Sequence, residues 1–193
     1  MDTGMRLFVS VDLDGLADAV ADVQEPLSGL SGLRLTDPTQ AHITMQFLGE
    51  GDHDVAALVA ALERAAADAD VGAAGADDGG FEATFEGVGA FPSPEYVRVV
   101  WLGVGRGASE LTALHRRIEA ETTALGYDAS DHDFTPHVTL ARMDDATSKG
   151  AVRSFLESAD PEIGPLHVED LRLTESTLTS EGPEYRTVAR IEL

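Results

Sequence analysis

Two four-residue segments, His42-Ile43-Thr44-Met45 and His137-Val138-Thr139-Leu140, carry one pattern: His, apolar, Thr, apolar. Successive side chains of a β-strand point to opposite faces. Each segment, read as a strand, therefore puts His and Thr on one face and the apolar pair on the other. The apolar side belongs in a core, and the His–Thr side is free to line a cleft. From 42 to 137 is 95 residues, close to half of the 193-residue chain. That spacing suggests one structural unit used twice, with the two His–Thr pairs facing each other.

The flanking sequence fits a mixed fold. Leu7–Leu13, Leu33–Leu35, Ala41–Leu48, Phe81–Gly89, Tyr96–Val104, His137–Arg142, Pro165–Leu173 and Tyr185–Ile191 read as strands. Helices are expected after Asp14 to about Leu27, from Val55 to about Ala67 behind Asp52 or Asp54, and from Glu110 to about Leu125. The last of these is capped by Ser109 and stopped by Gly126; a fourth helix runs from Ala146 to Ser158. Phe91-Pro92-Ser93-Pro94 and Ser180-Glu181-Gly182-Pro183 read as turns. The Ala-, Asp- and Gly-rich stretch 69–80 reads as a flexible loop. The expected class is α+β: two antiparallel sheets with outer helices and a central cleft, residues 1–193 forming one domain of two similar lobes.

Composition narrows the chemistry. With no Cys, the chain has no disulfide, thiolate zinc site, iron–sulfur cluster or cysteine nucleophile. No apolar run reaches the roughly 18 residues of a membrane span, and no signal peptide is read at the N-terminus, so a cytoplasmic protein is expected. The net charge is −22, with Lys149 the only lysine and every other basic residue Arg. Such acidity ordinarily disfavours a nucleic-acid partner, because phosphate binding rests on Lys and Arg. Spread along the whole chain, it points instead to work in concentrated salt, where the Debye length falls to about 3 Å at roughly 1 M and local Arg contacts still hold a phosphate.

Two imidazoles and two hydroxyls suit phosphodiester cleavage. The attacking oxygen must lose a proton and the leaving oxygen must gain one. One neutral and one protonated imidazole do both near neutral pH. Thr hydroxyls donate to the non-bridging oxygens, whose charge grows in the transition state. The scheme needs no metal and no cofactor. The residues alone leave acid and base interchangeable.

The motifs resemble those of the 2H phosphoesterase superfamily, specifically the RNA 2′,3′-cyclic phosphodiesterases also called 2′-5′ RNA ligases (the LigT/ThpR-like group). The resemblance runs from Arg6-Leu7-Phe8-Val9 through His42–Glu50, Gly87–Pro94, Val97–Val104 and Phe134–Arg142 to Leu173–Ser176 and Gly182–Tyr185. It implies a bilobal α+β fold and hydrolysis of a 2′,3′-cyclic phosphate, on an RNA 3′ end or a nucleoside, to a 2′-phosphate. It implies His42 as proton donor to the departing 3′ oxygen and His137 as proton acceptor from water, with the reverse assignment open. It gives Thr44, Thr139 and Arg142 to the phosphate. Arg142 stands at an odd offset from His137, so a straight strand would turn it to the opposite face; its reach requires the strand to end or bend. Asp131-His132-Asp133 and Glu95 stand where the family is often basic. No membrane or obligatory protein partner is implied, and a monomer is expected. The alternatives are a 2′-5′ ligase joining cyclic-phosphate and 5′-hydroxyl ends, and a non-catalytic RNA or nucleotide binder.

Other features have plainer readings. Asp131, His132 and Asp133 read as a solvated loop rather than a metal site, Pro136 separating them from His137. His53, His115 and His167 read as isolated surface or helix-face residues. In Gly103–Ala108 the third glycine falls too early for a dinucleotide fingerprint, and the segment reads as a strand-to-helix connection. Phe8, Phe47 and Trp101 read as core, and Arg34 and Arg98 as cleft or rim.

Overall fold

The computed structural model describes residues 4–69, 71, 79–180 and 182–193. Its strands are β1 (Met5–Asp12), β2 (Leu33–Leu35), β3 (His42–Gly51), β4 (Phe81–Ser93), β5 (Tyr96–Val104), β6 (His137–Met143), β7 (Glu162–Val168), β8 (Asp170–Thr179) and β9 (Gly182–Glu192). Its helices are α1 (Ala17–Gln24), α2 (Val55–Asp68), α3 (Ala108–Ala124) and α4 (Lys149–Ser158). The class is α+β, as expected.

The strands form one nine-stranded sheet in the order β7-β4-β5-β6-β3-β1-β8-β9, with β2 added against β6, and every recorded pairing is antiparallel. Two separate antiparallel sheets were expected; instead the two halves join into this one sheet at β3 and β6, through the single register pair Ile43–Val138. The halves also exchange strands. β4 follows β3 and α2 in sequence but pairs β5, and β8 follows β6 and α4 but pairs β1. Helices α2 and α3 pack together, α2 against β9 and α3 against β3; α1 contacts β6 and α4 contacts β4.

Alternation decides which face is buried. Ile43, Met45, Val138 and Leu140 are at most 1% exposed, each contributing about 1.5–3 kcal/mol by leaving water. They pack with Leu58 and Leu62 of α2, Leu111, Leu114 and Ile118 of α3, and Val20 of α1 in one core.

Several local expectations change. Of Asp52 and Asp54, it is Asp54 that caps α2, accepting from the Ala57 amide at 3.0 Å. Asp14 does not cap α1, because its carboxylate is taken by Arg172. Ser109 does not cap α3; Gly107, at φ +87°, holds the cap position, where a Cβ would meet the backbone of Glu82 and Ala83. Phe91–Ser93 belongs to β4 rather than to a turn, and the strand read over Pro165–Leu173 breaks at Glu169 into β7 and β8. The stretch 69–80 lies mostly outside the described residues.

Candidate active site

His42 opens β3 and His137 opens β6, on either side of the seam where the half-sheets join. Continuing the Ile43–Val138 register by one residue each way sets His42 across from Thr139 and His137 across from Thr44. All four side chains are half-buried, and the apolar residues that follow each of them, Ile43, Met45, Val138 and Leu140, are fully buried. The sheet thus brings both His–Thr pairs together on one face.

Both rings are held the same way. His42 Nδ1 lies 2.9 Å from the Gln40 carbonyl and His137 Nδ1 lies 2.6 Å from the Thr135 carbonyl. A carbonyl oxygen only accepts, so in each ring Nδ1 carries the hydrogen and Nε2 is left to exchange a proton. Aromatic walls fix the ring planes. Phe8 and Tyr185 stand 5.1 Å from His42, and Phe91 and Trp101 stand 4.8 and 6.1 Å from His137. Gly89, paired with Trp101 across β4 and β5, leaves the space the indole fills; a Cβ there would collide with it.

Burial pushes both imidazoles below their ordinary value. For His42, the Gln40 carbonyl and the charge of Asp12 pull the other way, and Arg142 lowers it further. For His137, the Thr135 carbonyl opposes burial, while the charges of His42 and Arg142 lower it. The two rings therefore sense each other, and Arg142 is sensed by both.

A β-bulge turns Arg142 to this face. Val100 pairs Ala141 but Trp101 pairs Thr139, so Leu140 is an extra residue on β6. Leu140 and Ala141 are both buried, the alternation slips by one, and Arg142 emerges exposed on the His137 side. β3 does the same. Ser10 pairs Thr44 and Val9 pairs Gln46, leaving Met45 extra. The residue five beyond His42 is Phe47, and it is 65% exposed rather than in the core. Phe8, by contrast, is buried as expected and backs both His42 and Phe47.

Each bulge carbonyl is satisfied by a side chain from a helix. Gln24 of α1 donates to the Leu140 carbonyl at 2.9 Å. His115 of α3 donates from Nδ1 to the Met45 carbonyl at 2.8 Å and stacks on Phe134 at 4.1 Å and 9°. The isolated-residue reading of His115 is therefore corrected. At 5% exposure it is a buried clamp touching β3 and the segment that leads into His137. His53 is likewise engaged, meeting the Tyr127 hydroxyl and the Met5 carbonyl at 2.8 and 3.0 Å. Arg34 is committed to Asp144 and Arg98 to Tyr96. Tyr185 packs edge-on against His42 because β8 joins β1 and carries β9 with it, a placement that the turn between those strands does not reveal.

Among the described residues no group of His, Asp and Glu side chains is arranged to hold a metal ion, and no helix is long and apolar enough to cross a membrane. What the site offers is two proton-exchanging nitrogens, two hydroxyls and one guanidinium on one face of the sheet.

Residues 13–177 match the family model described as the 2′-5′ RNA ligase superfamily. The chain is 35% identical over 192 residues to the RNA 2′,3′-cyclic phosphodiesterase of Archaeoglobus fulgidus, covering 97% of this chain and 100% of that one. It is 35% identical over 178 residues to the protein of that name from Aeropyrum pernix, covering 92% of each. A solved Thermus thermophilus protein superposes with a TM-score of 0.74 at 25% identity over 98% of both chains. Escherichia coli LigT, at 22% identity, shares the fold with a TM-score of 0.73 over 100% of this chain and 99% of its own. Matched over most of its length in sequence and in fold, the chain belongs to the 2′-5′ RNA ligase superfamily.

Proposed function

We propose that the chain is an RNA 2′,3′-cyclic phosphodiesterase that opens the cyclic phosphate to a 2′-phosphate. His137 Nε2 takes a proton from water as the water oxygen bonds to phosphorus. The bond from phosphorus to the 3′ oxygen breaks, and His42 Nε2 gives that oxygen a proton. Thr44, Thr139 and Arg142 hold the non-bridging oxygens, whose charge is greatest in the transition state. The observation that carries this reading is the matched pair of imidazoles, each locked at Nδ1 by a backbone carbonyl, on strands that meet at Ile43 and Val138. Burial and the charge of Arg142 disfavour protonation of both rings; Asp12 opposes this at His42 and not at His137, which suits His42 as the proton donor.

We also read Phe47 as a place for a base. Phe47 is the β3 counterpart of Arg142, it is exposed, and Phe8 supports it from beneath at 6.1 Å. An exposed ring beside a phosphate site provides a stacking surface for the nucleobase. Phe47→Ala is expected to raise KM for a cyclic nucleotide about tenfold, in line with roughly 1–3 kcal/mol of stacking per base. A cyclic phosphate without a base should show no such change.

We further read residues 1–193 as a single domain of two pseudo-symmetric lobes, monomeric and cytoplasmic, working in concentrated salt. The exchanged strands support the first point and the charge of −22 with one lysine supports the last.

The deciding experiment incubates purified protein with 2′,3′-cyclic nucleotides and with an oligonucleotide ending in a cyclic phosphate, across salt concentrations, with and without EDTA and a 5′-hydroxyl fragment. A 2′-phosphate product formed equally in EDTA is expected. Joined product in excess of hydrolysis would favour ligation. Loss of turnover in EDTA would overturn the mechanism, and no turnover at any salt would overturn the activity.

A further inference from the structure

Asp12 ends β1 directly opposite His42, and Ser10 lies opposite Thr44. Directly opposed residues of an antiparallel pair project from the same face. Asp12 therefore shares the face of the two histidines, yet it serves neither as acid nor as base in the scheme above.

Its carboxylate is fixed at both oxygens. One accepts from the Ser10 hydroxyl at 2.8 Å, the other from Arg172 Nη1 at 2.7 Å. The anchors are themselves immobile. Ser10 is fully buried and its oxygen lies 3.1 Å from the Thr174 hydroxyl; Arg172 is 6% exposed. Nor does Arg172 cancel the charge of Asp12. It is shared with Asp14 and with Asp170 at 3.2 Å, and Asp170 is reached in turn by Arg190 at 3.4 Å. Two guanidinium groups face three carboxylates, so the cluster stays net negative behind His42.

We propose that Asp12 is a positioning residue for the reaction, clamped by Ser10 and Arg172 so that its charge faces His42 without taking the proton that His42 must deliver. An unclamped carboxylate opposite His42 could swing to the imidazole, bond Nε2–H and withdraw it from the leaving oxygen. With both oxygens already engaged, Asp12 acts through its field alone, and Nε2 stays open to substrate.

The other groups around His42 are accounted for. Phe8 of β1 and Tyr185 of β9 are uncharged walls, Arg6 of β1 acts on Tyr185, and the Gln40 carbonyl holds Nδ1. From β6 come the positive charge of Arg142 and the ring of His137. Burial and Arg142 disfavour a charged His42; Asp12 is the carboxylate that opposes them.

This role rests on His42 being the acid of the proposed reaction. It is tested with Asp12→Asn, read by NMR titration of the His42 ring and by the pH profile of kcat/KM for a 2′,3′-cyclic nucleotide. Removing the negative charge should make His42 titrate at lower pH. The alkaline limb of kcat/KM should move by the same amount, about half a unit to one unit, which is a three- to tenfold loss on that side. Well below the limb the variant should match wild type, and Asp12→Glu should return the limb toward its original place. Ser10→Ala keeps the charge, so its His42 should titrate no lower than in wild type; a fall like that of Asp12→Asn would assign the effect to a disturbed strand and overturn the proposal. An unmoved His42 titration in folded Asp12→Asn would also overturn it, as would movement of the acidic limb in place of the alkaline one. The ring titration is read without substrate, so a failure of this role and a failure of the proposed activity are separate results.

Discussion

Replacing His42 or His137 with alanine is expected to lower kcat for a 2′,3′-cyclic nucleotide by about 10²–10⁴-fold, the range a positioned proton-transfer group supplies. The fold should survive. Both rings are half-buried on the polar face, while the strands are anchored from the other side by Ile43, Met45, Val138 and Leu140. Unchanged circular dichroism and a melting temperature within a few degrees of wild type would separate lost chemistry from lost structure. The double variant should be scarcely worse than either single one, because proton removal and proton delivery belong to one displacement. The wild-type kcat/KM profile supplies a second check. In the proposed reaction His137 must be neutral to accept a proton and His42 charged to give one. The rising limb therefore follows His137 and the falling limb follows His42. Since burial lowers both, both limbs should lie below the ordinary imidazole value of about 6.5. A single variant keeping more than a tenth of wild-type kcat would sink the two-histidine mechanism.

The strand motifs were legible because period-two alternation is local. Four residues suffice to say that His42 and Thr44 share a face, and so do His137 and Thr139. The features that complete the site are set by one inserted residue on each strand. Leu140 and Met45 look like ordinary apolar strand positions, and nothing in their identity announces a bulge. Only the odd offset of Arg142 hinted that β6 had to deviate. The same reasoning applied to Phe47 would have turned it out of the core, since the two motifs are in parallel register from His to the fifth residue beyond.

The clamps were out of reach for a different reason. His115 and Gln24 bond carbonyls 70 and 116 residues away in sequence, through an exchange in which α1 serves β6 and α3 serves β3. Alternation and capping rules see only neighbours. The helix starts show the same limit. Asp14 and Ser109 are good caps by residue type, but Arg172 claims the first and a left-handed glycine replaces the second. A tertiary partner with charge outweighs a local preference worth about 1 kcal/mol. Strand exchange between the halves likewise leaves no trace in the 95-residue spacing, which would be the same for two separate units.

Arg142→Ala should cost about 10²–10³-fold in kcat/KM, the loss typical for removing a donor aimed at developing charge. The chain has 35 acidic residues, and Arg34, Arg64, Arg106, Arg172, Arg186 and Arg190 are all paired with carboxylates. Among the described residues, Arg142 is paired with none, although it stands exposed at the polar face. A guanidinium left unpaired in so acidic a protein is available to an anion, and its planar fork matches two phosphate oxygens at once. Arg142→Lys keeps the charge but not the fork, so it should recover only part of the loss. The pH profile distinguishes this role from a structural one. Arg142 lowers both histidines by its charge. Its removal should therefore let both titrate at higher pH and carry both limbs of kcat/KM upward, whereas a variant that merely loosened β6 would lose rate with the limbs in place. Concentrated salt screens the net charge more than a contact pair, so the ratio of wild type to Arg142→Ala should persist at roughly 1 M salt. A ratio that collapsed to near unity there would show that Arg142 only attracts the anion from a distance and does not grip it during reaction.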